Sequence, residues 1–269
     1  MGVKMSLEKK STQNWEEFYK KMDKTNISPM YFLQTMRLDG FRQVAFEEIS
    51  KKIEEILAKN EIVCILSAGS GIDFIAYHLK KTFRDKIRIT AFDVSSECMA
   101  INRELFNDSF EYIVGDIFKH DFSNKKYDIV YNTGLLEHFL DEEKEKIISK
   151  ISGLLNSPGY YITLNPYVGG KIYTKYMNIA KQNGIWEYGE ETPISSLKKF
   201  ALDNFKLIEE WPCCSISQLC FMYYRYPYLR YLFGPITYLI HMKSLDNIVG
   251  KVIGFYGLIS IFKKEHDGG

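Results

Sequence analysis

The sequence lacks a surplus of either charge: 35 Lys and Arg nearly balance 34 Asp and Glu, for a formal net charge of +1. No global field therefore draws it to nucleic acid. It also lacks a long apolar run. Its most apolar stretch, Tyr228 to Phe262, is broken by Pro235, His241, Lys243 and Asp246, whereas crossing a bilayer takes about 18 to 20 consecutive apolar residues. No membrane span is expected. The opening residues MGVKMSLEKK hold no apolar core of the kind a secretory signal needs. Gly2 and Ser6 match the myristoylation pattern, and a chance match is the simpler explanation. Cysteine pairs at metal or redox spacing are missing too. Five cysteines (Cys64, Cys98, Cys213, Cys214, Cys220) form no C-x-x-C, which reads as reduced, mostly buried thiols in a cytoplasmic protein. For Cys213-Cys214, core packing is a better explanation than reactivity. The five histidines (His78, His120, His138, His241, His266) lie far apart, so no metal set is expected. There is no nucleophile elbow and no P-loop.

What is present is an alternation of strands and helices. Residues 1–60 read as helical, with Trp15, Phe18 and Tyr19 at helical spacing and a stripe through Phe41, Ala45, Ile49, Ile53, Ile56 and Leu57. Then Glu61 to Ser67 forms a short continuous apolar run, as a strand buried on both faces of a parallel sheet would. Asp73 opens a helix with Phe74, Ile75, His78, Leu79 and Phe83 inward. Further strands are expected at Ile87–Asp93, Phe110–Val114, Tyr127–Tyr131 and Tyr160–Leu164, with helices near Glu97–Phe106 and Glu142–Leu155. This order predicts a parallel, doubly wound α/β sheet with ligands along one edge. After Asn165 the alternation lapses for about forty residues. Phe205–Trp211 and Gly257–Lys263 are expected as the last two strands, with an aromatic-rich helical insertion between them.

Four pieces in order suggest a nucleoside cofactor. The first is the turn Gly69-Ser70-Gly71 between strand and helix, where glycines allow a tight turn and close approach to a ligand. Alone it is a weak signal. The second is Asp93, at the tip of the next strand and 24 residues after Gly69. A carboxylate there can accept from both hydroxyls of a ribose; a helix N-cap is the bland alternative, since Val94-Ser-Ser follows. The third, Gly115-Asp116-Ile117, can read an adenine edge, with Ile117 on the ring, or be a plain Gly-Asp turn. The fourth is Tyr127 to His138, in which a strand ends at Asn132 and a loop, Leu135-Leu136-Glu137-His138, follows.

Together these resemble the class I S-adenosylmethionine-dependent methyltransferase superfamily, most closely its broad bacterial branch of small-molecule enzymes with an L-E-H loop after the fourth strand. The resemblance covers roughly residues 45–165 and extends more loosely to 210. It implies a Rossmann-like, seven-stranded, mostly parallel sheet with the last strand antiparallel. It also implies S-adenosyl-L-methionine held at its methionine end by Gly69 and Gly71, at the ribose by Asp93 with Val94 beside it, and at the adenine by Asp116 and Ile117. Asn132 would lie by the sulfur end. Two positions depart from the family: Ser67 stands where an acidic residue is usual, and Asp73 where a small one often stands. Either Ser67 weakens cofactor binding, or Asp73 supplies the carboxylate from one turn on. The domains expected are a helical lid (1–58), the cofactor-binding core (59–210), an aromatic helical cap (211–256), and a final strand with a tail (257–269).

Methyl transfer from a sulfonium is chiefly a problem of alignment, and a base is needed only for an acceptor protonated near neutral pH. His138 is the candidate base; a structural histidine capping the loop is the alternative. Glu137 reads as a helix-start residue or one supporting the site. Tyr19, with Trp15 and Phe18, is the candidate lid, against an ordinary amphipathic stripe. Ile185 to Glu190, with polar and aromatic groups, follows the fifth strand, where members of the resembled family often build the acceptor pocket. The insertion carries Tyr223, Tyr224, Tyr226, Tyr228, Tyr231, Phe233 and Tyr238: a pocket for a small aromatic or apolar acceptor, a homodimer surface, or plain core. Two other function classes stay open. One is a methyltransferase-like protein that binds cofactor but acts only with a partner. The other is a nicotinamide-dependent oxidoreductase, against which stands Phe74 in place of the third glycine of that fingerprint.

Overall fold

The computed structural model describes residues 15–21, 36–226, 228–229 and 243–265. Tyr231, Phe233, Tyr238, His241 and His266, and the Gly2 pattern, lie outside the described residues, as does the side chain of Tyr223. The elements in chain order are α1 (residues 15–21), α2 (Gly40–Leu57), β1 (Val63–Ala68), α3 (Phe74–Phe83), β2 (Ile87–Asp93), α4 (Ser96–Phe106) and β3 (Glu111–Val114). They continue as β4 (Tyr127–Thr133), α5 (Asp141–Leu154), β5 (Leu155–Pro166), α6 (Lys171–Gln182), β6 (Phe205–Cys213), α7 (Lys243–Ile253) and β7 (Gly257–Lys264).

All seven strands join one sheet in the order β3-β2-β1-β4-β5-β7-β6. Strands β1 to β5 run parallel, and β7 inserts antiparallel between β5 and β6. The expected class, doubly wound with the last strand reversed, is the fold observed. The apolar runs explain why. Val63, Ile65 and Leu66 of β1 are fully buried, because a central parallel strand has helices over both faces. On one face Ala45, Ile49 and Ile53 of α2 join Ile75 and Leu79 of α3 and Phe106 of α4. On the other, Ile147, Ile148 and Ile151 of α5 pack with Ile194, Leu197 and Phe200. Each fully buried Ile or Leu contributes about 1.5–3 kcal/mol of gross burial energy.

Two elements depart from the sequence expectation. Strand β5 starts at Leu155, which pairs with Tyr127 across a register shift, so the strand absorbs the predicted Ser157-Pro-Gly turn. The lapse after Asn165 contains helix α6, whose buried face is Tyr173, Tyr176, Met177 and Ala180. That i, i+3, i+4, i+7 spacing is a helical stripe, obscured in the sequence by tyrosines. Between β6 and β7 the described insertion is a 3₁₀ segment, Ile216–Tyr224, followed by α7. Among the described residues no helix is long and apolar enough to cross a membrane. Cys213 and Cys214 are buried with sulfurs 3.4 Å apart, as the core-packing reading expects.

Candidate active site

The glycine turn sits at the C-terminal edge of β1, in the middle of the sheet. Gly69 and Gly71 adopt φ of +63° and +54°, the left-handed region where a Cβ is penalised. A side chain at Gly69 would also press on Leu135 at 2.7 Å, and one at Gly71 would reach the Tyr19 hydroxyl at 3.0 Å. The turn is tied to the neighbouring strand: Ser70 N donates to Phe92 O at 3.0 Å, and Gly71 N to Asp93 Oδ2 at 3.0 Å.

Asp93 is buried, and burial pushes its carboxyl above the usual range. It also accepts from Ser95 N at 3.0 Å. Helix α4 takes its N-cap from Ser95, whose hydroxyl accepts from Cys98 N, so Asp93 does not serve as the cap. Gly71 N and Ser95 N occupy two of its roughly four acceptor positions and Val94 N lies close as well, which leaves room for a ligand's donor. Val94 is half-buried beside it. Gly115 N donates to Asp93 O at 2.9 Å, bringing the third piece alongside. Asp116 accepts from Phe118 N at 2.8 Å and from Lys119 Nζ at 3.0 Å, while Ile117 is buried in the core cluster on the α5 face. The turn reading of Asp116 is thus visible in its own hydrogen bonds.

Ser67 and Asp73 meet directly below the turn. Asp73 caps α3 by accepting from Ala76 N, and it also accepts from the Tyr131 hydroxyl at 2.9 Å. Ser67 is paired with Tyr131 across β1 and β4. Its buried hydroxyl makes no hydrogen bond of good geometry, yet stands near enough to Asp73 to favour the charged carboxylate. Burial is the larger influence and raises that carboxyl. The acidic group thus reaches the Ser67 position from the next helix. It is anchored from the other side by Asn102, which accepts from Asp73 N at 3.0 Å and donates to Gly71 O at 2.7 Å.

Helix α1 closes over this edge. Tyr19 is buried against Ala91, Cys98 and Met99, and Glu16 accepts from Ser95 Oγ at 2.6 Å and Ser96 Oγ at 3.1 Å. The hydroxyl of Ser95 holds Glu16 below the usual carboxylate range, outweighing its slight burial.

Against α1 packs a cluster of aromatic side chains, which we term the aromatic chamber. Trp15 meets His138 edge-on at 5.1 Å, and Phe18 meets Tyr188 at 5.9 Å. Trp186 contacts Tyr173, Tyr188, Phe221 and Tyr224. Tyr256 closes the ring against Tyr173 and Phe221. The segment Ile185–Glu190 therefore takes part in a pocket-like wall, but the insertion is divided: Tyr226 and Tyr228 are exposed. Asn132 is buried on the α5 face, accepting from the Tyr161 hydroxyl, and its Nδ2 has no partner.

At the chamber's floor is a group the sequence did not foretell. His138 ends a 3₁₀ turn, Leu136–His138, with Nδ1 3.1 Å from Glu190 O. Burial lowers its pKa to about 4, so the ring is neutral at pH 7. Its Nε2 lies 3.8 Å from Glu137 Oε1 and 3.9 Å from Glu191 Oε1. Glu191 accepts from the Tyr173 hydroxyl at 2.6 Å, and burial raises its pKa to about 7. Burial, and then Glu191, push Glu137 well above the usual range. Glu137 is not a helix-start residue, since α5 begins after Leu140. Glu191 carries no motif around it, and only its contacts reveal it.

Comparison with known proteins agrees with this layout. Residues 66–163 match the family model described as a methyltransferase domain. An uncharacterised methyltransferase of Bacillus cytotoxicus is 28% identical over 160 residues, 57% of this chain and 74% of that one. Among solved structures, the plantazolicin methyltransferase, with a desmethyl-plantazolicin analogue and S-adenosylhomocysteine, superposes with a TM-score of 0.60 at 14% identity, covering 97% of both chains. The magnesium protoporphyrin IX methyltransferase of Synechocystis, with S-adenosylhomocysteine bound, gives a TM-score of 0.57 at 13% identity, over 95% of this chain and 100% of that one. At such identities the structural matches speak for the fold.

Proposed function

We propose that the chain is an S-adenosylmethionine-dependent methyltransferase, a reading supported by its methyltransferase-domain match over residues 66–163, and that it methylates an oxygen or nitrogen of a small acceptor held in the aromatic chamber. The observation that carries this reading is the convergence of three separate sequence pieces on one point. Gly71 N and Asp93 Oδ2 are 3.0 Å apart, and Gly115 N reaches the Asp93 carbonyl at 2.9 Å. In this reading Gly69 and Gly71 admit the methionine end, Asp93 and Val94 take the ribose, Asp116 and Ile117 the adenine, and Ser67 and Asn132 line the sulfur side. Asp73 supplies the buried carboxylate that a Ser67 site would otherwise miss.

The acceptor side is read from its chemistry. Trp15, Trp186, Tyr173 and Tyr188 offer broad apolar faces with polar tips, suited to an aromatic or apolar small molecule. Tyr19 and α1 form the lid. His138, buried and neutral, stands in this wall beside the Glu191 carboxyl, where an acceptor's polar group would meet them. The notion of a small-molecule acceptor accords with two solved structures of similar fold, a plantazolicin methyltransferase and a magnesium protoporphyrin IX methyltransferase. A cytoplasmic location and a homodimer through the cap remain part of the proposal.

The test is calorimetric titration with S-adenosylhomocysteine, NAD and NADP in parallel, on the natural chain and on Asp93→Ala. Micromolar binding of S-adenosylhomocysteine that the substitution abolishes supports the reading. Binding of a dinucleotide instead would sink it. Binding without turnover across an acceptor screen would favour the partner-dependent alternative.

A further inference from the structure

The floor of the chamber presents three electron-pair donors to one another with nothing between them. The His138 Nδ1 contact is to a carbonyl oxygen, Glu190 O at 3.1 Å. A carbonyl only accepts, so Nδ1 carries the proton and Nε2 offers its lone pair. That lone pair faces Glu137 Oε1 at 3.8 Å and Glu191 Oε1 at 3.9 Å. All three side chains are buried, at 6%, 2% and 7% exposure. Glu137 Oε2 has no hydrogen-bond partner at all. The cations that act on the cluster through space, Lys144 and Lys181, pair with Asp141 at 3.4 Å and Glu190 at 3.3 Å. Two carboxylates withdrawn from water beside an imidazole lone pair call for a positive occupant or for protons.

We infer that Glu137, His138 and Glu191 bind one divalent cation, each contributing one ligand atom. Charge is the first argument: a cation that displaces the protons of the two carboxyls meets, with the neutral imidazole, a total of −2, which a dication balances and a single ammonium does not. Reach is the second. Separations of 3.8 and 3.9 Å from Nε2 are less than twice a metal–ligand bond of about 2.1 Å, so a single ion touches both ends. The third is support from behind. His138 is fixed through its far nitrogen by a backbone carbonyl, and Glu191 Oε2 by the Tyr173 hydroxyl at 2.6 Å. Such outer partners orient the ligands of metal sites. One nitrogen and two oxygens suit Mn²⁺, Fe²⁺ or Zn²⁺ more than Ca²⁺.

An ion there stands where Trp15 and Tyr173 enclose the chamber, placed to hold an oxygen of the acceptor. That role rests on the methyl-transfer reading; the ion site itself does not.

The experiment uses the full chain, stripped with a chelator and titrated with Mn²⁺, with free ion followed by electron paramagnetic resonance. Mg²⁺ and Zn²⁺ are run by calorimetry, and S-adenosylhomocysteine binding is measured on the same preparation. One Mn²⁺ per chain is expected, weakened at least tenfold by Glu191→Gln and by His138→Gln, with S-adenosylhomocysteine affinity changed less than threefold. If neither variant folds, quenching of Trp15 and Trp186 fluorescence by bound Co²⁺ in the unaltered chain locates the ion. No stoichiometric binding of any of these metals, in protein that still binds S-adenosylhomocysteine, overturns the inference. So does metal affinity equal in the variants, or stabilisation by a primary alkylamine in place of metal. Metal bound without S-adenosylhomocysteine would leave the site standing and sink the methyl-transfer reading instead.

Discussion

The two halves of the proposed site, one for a cofactor and one for an acceptor, are built in different ways. The cofactor half is made of backbone and short spacings: a glycine turn, a strand tip and a Gly-Asp step, all between Ser67 and Ile117 and joined by main-chain donors to Asp93. The acceptor half is made of side chains drawn from Trp15, His138, Tyr173, Trp186, Glu191, Phe221 and Tyr256, which only tertiary packing assembles. The contrast has a physical root. A cofactor shared across many reactions needs fixed donors at fixed places, which backbone supplies. An acceptor peculiar to one enzyme is fitted by whichever side chains the fold brings near.

That division is breakable at specific residues. The largest effect is expected from Asp93→Ala. Hydrogen bonds from two hydroxyls to a carboxylate are worth about 1.5–3 kcal/mol each, so S-adenosylhomocysteine affinity should fall by about a hundredfold or more in calorimetry. Asp93→Asn, which keeps an acceptor for Gly71 N, should lose less. If Asp93→Ala binds normally, the cofactor half does not work as described.

Next comes Tyr131→Phe. It removes the hydroxyl that donates to buried Asp73, and a buried polar group losing its partner costs about 1–3 kcal/mol. Denaturant unfolding should register that loss, with cofactor affinity reduced more modestly. No change in stability would mean Ser67 takes over as donor.

Gly69→Ala tests the backbone half directly. At φ of +63° and against Leu135, the added methyl should cost about 1–2 kcal/mol of stability. Cofactor affinity should drop about tenfold, a loss of about 1.4 kcal/mol. Trp186→Ala sharpens the comparison from the other side. It should leave S-adenosylhomocysteine affinity within about threefold while raising the acceptor KM once an acceptor is known.

The smallest effect is expected at the lid. Glu16 has a folded pKa held below its ordinary value by Ser95. Its contribution is present above the unfolded value of 4.5 and is lost as pH falls through the lowered one. Glu16→Gln should remove roughly 0.5 kcal/mol at neutral pH. Quenching of Trp15 fluorescence by iodide should rise at acidic pH in the natural chain, but show no such step in the variant.

Much of the fold was legible because parallel strands buried on both faces are written as continuous apolar runs. The run at Val63 needs no context to be seen, and those at Ile87 and Tyr127 stay mostly apolar although Arg88 and Asp128 interrupt them. Helix α6 was not, because its inward face is built of Tyr173 and Tyr176, residues equally at home in a strand or loop. The start of β5 at Leu155 was hidden behind Ser157-Pro-Gly, which reads as a turn until pairing with Tyr127 holds it in the sheet. Among site residues, Gly69, Gly71 and Asp93 follow from order and spacing.

Sequence alone therefore determined the sheet's character and the ladder of cofactor motifs, since both depend on neighbours within about 25 residues. The tertiary structure decided that Asp73 lies beside Ser67, held by the Tyr131 hydroxyl from the neighbouring strand. It also decided that Glu191 completes a buried cluster with Glu137 and His138. A lone glutamate in a polar loop has no periodicity to betray it. Its chemistry comes from burial and from what faces it, and both exist only once the chain has folded.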